Sequence, residues 1–343
     1  MKTKFKLGNI KIHNSMKPIV ISECCDNHFG KIENAIKMVD LSKASGADIV
    51  KFQHHLPDEE MLPLVPKSSN FKEPLYEFLK KYALKLEDHV KLISYCKMKK
   101  IEYLCTPFSL KAAEELVKIG VKYFKIGSGE MTDIPTLKKI SKFKLPMIIS
   151  TGMCSVDEIQ QTYDEVVKIN KNLILMNCTS EYPPQYEDIN LGFIPIMQKK
   201  FSKAYIGHSD HTPNLVTSLG AVALGAKLIE KHVTLNKAKK GPDADVSISF
   251  EELTTLVKQI DILSKTLGTN KEVYLKEKPI RRWAFRSIVS TRDIKKNTKI
   301  LQSMIWSKRP GTGIPAKEMS KVIGKKARRN IPYNKLIKWS DIF

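Results

Sequence analysis

The stretch MIISTGMCSVDEIQQTYDEVVKINKNLILMNCT, Met147–Thr179, decides the fold. A short β-branched run, Met147–Thr151, closes on Gly152. Val156–Ile169 then places apolar residues at helical spacing among Asp, Glu, Gln and Lys, and Leu173–Thr179 is a second apolar run. Two strands joined through a helix form a parallel unit. The same rhythm extends in both directions, with strands predicted at Ile19–Glu23, Asp48–Gln53, Tyr103–Pro107, Tyr123–Ser128, Ala204–Ser209 and Leu228–Leu235, and helices at Ile32–Ser45, Lys111–Ile119 and Leu215–Leu224. Strand and helix alternating eight times over about 250 residues predict a (β/α)8 barrel, with a doubly wound open sheet as the competing arrangement.

Composition narrows the class further. The chain has 343 residues, 42% of them hydrophobic, enough for one large core and a second small one. No run of eighteen apolar residues occurs, and the opening MKTKFKLGNIKIHN lacks the apolar centre of a secretory signal, so a cytoplasmic protein with no membrane partner is expected. Cys24, Cys25, Cys96, Cys105, Cys154 and Cys178 form no CxxC pair and read as reduced, mostly buried thiols. The 58 Lys and Arg against 36 Asp and Glu give a formal charge of +22, which attracts polyanions of any kind. The excess is uneven, because residues 281–343 hold 17 basic and 3 acidic side chains. A basic nucleic-acid-binding protein, whose affinity would fall steeply with salt, is the reading from another class; the expectation is a solvated basic segment with no nucleic-acid partner.

The polar stretch Gly268–Lys278, ending at Pro279, reads as a linker, which divides the chain into a barrel at 1–268, a linker at 269–280 and a basic segment at 281–343. That segment carries short strand-like runs at Ser287–Ser290, Lys299–Leu301 and Leu336–Ile337 and is small for an independent core. Leu56–Pro74, with Pro57, Pro63, Pro66 and Pro74, reads as an excursion over one face, a candidate substrate-covering loop.

In a parallel barrel the active site lies at the C-terminal ends of the strands, and polar groups recur there. The first strand ends in Glu23, followed by Asn27 and His28; the second carries Lys51 and Gln53, two apart and therefore on one side. Thr106, Lys125, the turn Gly127-Ser128-Gly129-Glu130, Ser150 and Thr151 follow. Hydroxyls and glycine turns beside two ammonium groups suit a phosphate dianion. Asn177-Cys178-Thr179-Ser180, running into Glu181-Tyr182-Pro183, suits a hydroxylated substrate. His208-Ser209-Asp210-His211 and Glu230-Lys231-His232 place imidazoles at adjacent strand ends, where His211 and His232 can hold a divalent cation. Singly, each feature has a plainer reading as a turn, an ion pair or a hydrogen-bonded histidine; their coincidence at strand ends is the signal. Ser209 is no hydrolase nucleophile, since neighbours in one tripeptide form no relay and no GxSxG elbow is present.

These residues resemble the sialic acid (nonulosonic acid) synthase family. The motifs ISECCDNHFG, SGADIVKFQ, CTPFS, KIGSGEMTDIPTL, MIISTGM, NCTSEYPPQYEDINL, IGHSDHT, GAVALGA, IEKHVTL and GPDAD follow in family order, and SIVSTRDIKK with KRPGTGI resembles the family's antifreeze-like (SAF) domain. The resemblance implies a TIM barrel followed by a small, mostly-β SAF domain. It implies a transferase that condenses phosphoenolpyruvate with an N-acylated amino sugar in the presence of Mn²⁺ or Mg²⁺. An N-acetylneuraminate synthase using N-acetylmannosamine is the leading expectation; a legionaminic acid synthase using a 2,4-diacetamido-trideoxy mannose comes next, and a pseudaminic acid synthase last.

By the same resemblance Lys51, Thr106, Lys125, Ser128, Ser150 and Ser209 would bind phosphoenolpyruvate, and His211 and His232 the metal. Gln53, Asn70, Ser180, Tyr182 and Asp243 would meet the sugar. Glu23 would handle protons, and Glu230 would orient His232 or contact substrate. Arg309 of KRPGTGI would enter the barrel of a partner subunit and recognise the acylated sugar, which implies a domain-swapped homodimer. Two departures stand out: Cys24-Cys25-Asp26 replaces the family's usual Ile-Gly-Ile, and Ser180 stands where many members have asparagine.

Overall fold

The computed structural model describes residues 2–64, 73–238, 241 and 243–343; Asn70 lies outside them. It divides into two units, Met1–Leu267 and Gly268–Phe343. The first unit opens with an antiparallel pair, β1 (Phe5–Leu7) and β2 (Ile10–Ile12). Its barrel strands are β3 (Ile19–Glu23), β4 (Ile49–His54), β5 (Glu102–Pro107), β6 (Phe124–Ile126), β7 (Met147–Ser150), β8 (Leu173–Cys178), β9 (Tyr205–Asp210) and β10 (Leu228–His232). These pair in parallel with their neighbours in sequence, and β10 closes on β3. The ring is the (β/α)8 barrel, and the open sheet is excluded.

Strand pleating sorts the side chains into two sets. Val20, Val50, Phe52, Tyr103, Cys105, Phe124, Ile149, Leu175, Ile206 and Ile229 face outward, where they pack with the surrounding helices. Ile21, Ile49, Leu104, Tyr123, Ile148, Ile174, Met176 and Leu228 face inward and fill the lower barrel together with Leu7 and Ile12 of the first hairpin. The hairpin therefore plugs the N-terminal mouth. Its turn is Gly8-Asn9, with Gly8 at φ 56° and Asn9 donating to Glu102 from both its backbone and side-chain nitrogens. Gly207 is an inward position too, where a Cβ would fall 2.4 Å from Met176 Sδ; the missing side chain makes room for the methionine.

The helix at Val156–Ile169 begins on a capping box, in which Ser155 Oγ accepts from the Glu158 N–H and Glu158 accepts from the Ser155 N–H. Further helices at Leu86–Lys99, Ile134–Ser141, Phe193–Lys200 and Phe250–Thr266 complete the outer ring. The second unit has its own apolar centre of Ile288, Ile294, Ile300, Ile305, Ile314, Val322 and Ile337. β11 (Ser287–Ser290) and β12 (Ile305–Lys308) pair antiparallel within it. A helix at Glu277–Ala284 runs through the end of the stretch read as linker. Pro279 is tolerated there because it lies in the first helical turn, whose N–H groups have no intrahelical acceptor. Among the described residues no helix is long and apolar enough to cross a membrane.

Candidate active site

Two residues beyond the apolar inner layer, the strands turn polar. Glu23, Lys51, Thr106, Ser150 and Glu230 succeed Ile21, Ile49, Leu104, Ile148 and Leu228 on the same faces. Register brings Glu23 opposite Lys51, Gln53 opposite Thr106, and Glu230 opposite Ser209. Above them opens a cavity of about 350 Å³ lined by Lys51, Gln53, Thr106, Lys125, Ser128, Ser150, Ser180, Tyr182, Ser209, His211, Glu230, His232 and Asp243. A larger cavity of about 730 Å³ opens among Asn9, Lys43, Asp48, Glu102 and Tyr123, beside the plugged end. It lacks the converging buried cations and hydroxyls, so the smaller one is the candidate site.

One network organises the floor. Lys51 Nζ lies 2.8 Å from Glu230 Oε1 and also pairs closely with Glu23. Lys125 Nζ lies 3.5 Å from the same Glu230 oxygen and donates to Ser150 Oγ at 2.7 Å, while Ser209 Oγ donates to Glu230 at 3.0 Å. Burial opposes ionisation of Glu230, but Lys125 and Lys51 outweigh it and hold its carboxyl far below the usual range. Burial pushes the Lys51 ammonium down to about 8, with Glu230 resisting and Lys125 adding repulsion. Thr106 Oγ1 and Glu230 Oε2 are buried without a hydrogen-bond partner among the described residues. An unmade buried hydrogen bond costs about 1–3 kcal/mol, so these atoms are poised for a ligand. Gly152 lets two hydroxyls converge: its N–H donates to Ser128 Oγ at 3.0 Å, and a Cβ there would sit 2.2 Å from Ser180 Oγ.

The His211 and His232 rings lie 5.1 Å apart. His211 Nδ1 is 2.7 Å from the Thr179 carbonyl, which can only accept, so Nδ1 carries a proton and Nε2 faces Tyr182 Oη at 3.3 Å. The Tyr182 ring stacks on His211 at 4.3 Å. Burial, His211 and Lys51 all keep His232 neutral, and its Nδ1 is buried with no partner among the described residues. Burial likewise disfavours a charged His211, but the Cys178 thiol and the Thr179 carbonyl reverse the balance and raise it. Cys25, His232 and Asp243 offer donor atoms within 4.8 Å of one another. A neutral imidazole with an orphaned nitrogen, beside a carboxylate and a second imidazole, fits a divalent ion.

Not every expected residue lines the cavity. Glu23 is fully buried beneath it, with Oε1 accepting from the Cys25 N–H at 2.6 Å. Glu230 is committed to the lysines and Ser209 rather than hydrogen-bonded to His232. Asn27 and His28 serve the backbone: Asn27 donates to the Val233 carbonyl, and His28 Nδ1 accepts from the Gly30 N–H. Arg309, in the second unit, is exposed, donates from Nε to the Ala284 carbonyl at 3.1 Å, and lies 5.4 Å over the Trp283 ring.

Three further groups join the lining. His55 stacks on Phe108 at 4.2 Å and lies 3.0 Å from both Glu60 and Gln53. Asp26 is pushed up to about 6 by burial and by Asp243 and Glu60, against the pull of His55. Cys178, beside His211 and Ser128, is brought down to about 7 because these neighbours and Lys125 overcome the opposing effect of burial. His55 and Cys178 continue the inward pleat of Lys51–Gln53 and Ile174–Met176, a signal present in the sequence.

Residues 38–272 match the NeuB family and residues 285–342 the SAF domain. The chain belongs to the NeuB family. This NeuB-family chain is 36% identical to the N,N'-diacetyllegionaminic acid synthase of Legionella pneumophila, over 98% of both chains. It is 32% identical to a pseudaminic acid synthase of Campylobacter jejuni, over 98% of this chain and 99% of that one. The crystal structure of N-acetylneuraminic acid synthetase from Leptospira borgpetersenii superposes with a TM-score of 0.73 at 31% identity, covering 82% of this chain and 95% of that one. The NeuB-family chain is thus an enzyme of the nonulosonic acid synthase class, a transferase carrying a SAF domain.

Proposed function

We propose that the enzyme condenses phosphoenolpyruvate with an N-acylated, mannosamine-type aldehyde sugar, giving a nine-carbon 2-keto-3-deoxy acid and phosphate. One observation carries the reading: two buried lysines, Lys51 and Lys125, stand at the strand ends of a closed barrel with Ser150 and with a Thr106 hydroxyl that has no partner among the described residues. That is a small pocket whose ammonium and hydroxyl donors converge as a compact polyanion requires. A 2,4-diacetamido-trideoxy mannose is the first-ranked sugar, supported by the 36% likeness to a legionaminic acid synthase. N-acetylmannosamine is the second, supported by the structural likeness to an N-acetylneuraminic acid synthetase.

Lys51, Thr106, Lys125, Ser128, Ser150 and Ser209 hold the phosphate and carboxylate, and Glu230 keeps both ammonium groups charged and aimed. Gln53, Ser180, Tyr182 and Asp243 align the sugar so that its aldehyde carbon faces the enol carbon. Holding two reactants in such a geometry is worth up to about 7–11 kcal/mol. His211 and His232 would hold a divalent ion, Mn²⁺ or Mg²⁺, which supplies Lewis-acid polarisation of the aldehyde. Glu23, reached through Lys51, relays the proton that the new hydroxyl gains and the one that water loses on adding to C2, after which the tetrahedral intermediate expels phosphate. Arg309 recognises the acyl group of a sugar bound in a partner subunit, the arrangement of a domain-swapped homodimer, and its planar guanidinium suits that fixed task.

The test is a mass-spectrometric product assay with both sugars. The expected result is a nine-carbon acid from each, with kcat/KM higher for the diacetamido sugar; no such acid from either overturns the proposal. Glu23→Ala and Arg309→Ala, each inactive alone, should regain activity when mixed; no recovery overturns the shared site.

A further inference from the structure

The first turn after β3 holds a side chain that the synthase chemistry above does not use. Cys25 is completely buried, and its backbone sits at φ 38°, in the left-handed region. A residue with a Cβ costs roughly 1–2 kcal/mol there, whereas glycine is at ease. The thiol thus sits where the backbone disfavours any side chain. Its sulfur falls within 4.8 Å of a donor atom of His232 and of Asp243, and all three are buried or partly buried. His232 adds an independent observation, since its Nδ1 is buried and has no partner among the described residues. Donors sharing one tetrahedral ion lie about 3.5 Å apart, so a small side-chain adjustment unites the set.

We propose that Cys25 is a sulfur ligand of the ion held at His232, joined by Asp243, and that it gives this site a preference for thiophilic divalent metals over Mg²⁺. The proposal rests on the synthase reading for its ion and goes beyond it in the ligand set. Coordination replaces the S–H bond by a sulfur–metal bond, and the proton leaves to solvent. Thiolate and imidazole together select Zn²⁺, Co²⁺ or Cd²⁺, whereas carboxylate and water alone suit Mg²⁺. The sulfur also neutralises the positive charge that neutral imidazole and a single carboxylate leave on a divalent ion, so the ion would be held more tightly in the resting enzyme.

Cobalt reports sulfur ligation directly, without substrate. The full-length protein, stripped of metal, is titrated with Co²⁺ and read in the near-ultraviolet for thiolate-to-cobalt charge transfer and in the visible for bound cobalt. The native protein should show both signals. Cys25→Ser and Cys25→Gly should lose the near-ultraviolet band while still binding cobalt, and Cys25→Gly should fold readily because it relieves the positive φ. Cd²⁺ affinity should fall about tenfold or more in both variants, and Mn²⁺ affinity distinctly less. Absence of cobalt binding, bound cobalt without the band, or a band that survives both substitutions would each overturn the proposal. Product formation with a missing band would reject Cys25 alone, and a Cys25-dependent band without product formation would reject the synthase reading alone.

Discussion

The two ends of this barrel are made from the same strands and follow opposite rules. At the N-terminal end Ile21, Ile49, Leu104, Ile148 and Leu228 meet Leu7 and Ile12 of the plugging hairpin in a dry apolar layer. One pleat further along, Glu23, Lys51, Thr106, Lys125, Ser150 and Glu230 occupy the same inward face, and two ammonium groups are shared between two carboxylates. The lower layer is stabilised by burial, whereas the upper layer adds little, because the desolvation of buried ion pairs offsets their attraction. Stability and chemistry are thus separated by one repeat of the pleat. Such a division lets a pocket hold unsatisfied atoms such as Thr106 Oγ1 without loosening the fold.

The comparison breaks most visibly at Lys51. Lys51→Met takes from Glu23 its ammonium partner and leaves Glu230 with Lys125, and we expect kcat/KM for phosphoenolpyruvate to fall by about 10³ or more. Unfolding should also cost about 3–5 kcal/mol less than in the native protein, because a buried charge loses its partner. Near-normal turnover would show that the upper layer is structural. At the other end, Leu104→Ala should remove about 2–5 kcal/mol of stability, read by denaturant unfolding, while kcat/KM at low temperature stays close to native. A large loss of turnover in the folded variant would mean that the layers are not independent.

A pH profile sharpens the contrast without mutation. Lys51 must be charged to bind an anion, and burial brings it to about 8, so the charged form is present below that pH and lost above it. The sign is therefore a plateau in kcat/KM at neutral pH and a decline of about tenfold per unit in the alkaline range. Lys51→Arg should abolish the alkaline decline in whatever activity it retains. The smallest expected effect is Ser155→Ala, which removes the helix cap outside both layers; it should cost about 1 kcal/mol and leave kcat/KM unchanged.

The barrel was legible in the sequence because parallel strands covered on both faces read as short apolar runs, and eight of them alternate with helices. Polar positions at the strand ends were equally plain, since parity alone puts Lys51 and Gln53 on the face of Ile49. Chain entry was harder to read: the Gly8-Asn9 turn between alternating apolar residues signals a hairpin, but nothing local says that it plugs a barrel. His55 and Cys178 keep the same parity as their strands and needed only one more step of the pleat. The juxtaposition of Cys25, His232 and Asp243 has no local signature, because Cys25 follows the first barrel strand while His232 ends the last one and Asp243 lies in the turn beyond it, so they meet only once the barrel closes. The network around Glu230 was hidden for a related reason: three other strands supply its partners, and register decides that the carboxylate serves lysines rather than His232.

The most direct measurement follows phosphate release from phosphoenolpyruvate by the full-length enzyme, with and without an N-acylated mannosamine-type sugar, in the presence of Mn²⁺ or Mg²⁺. Release that requires both reactants, and that is lost in Lys51→Met while the protein remains folded, is the expected result. No release with any such sugar, or release undiminished in Lys51→Met, would contradict the assignment of the upper layer as a phosphoenolpyruvate site.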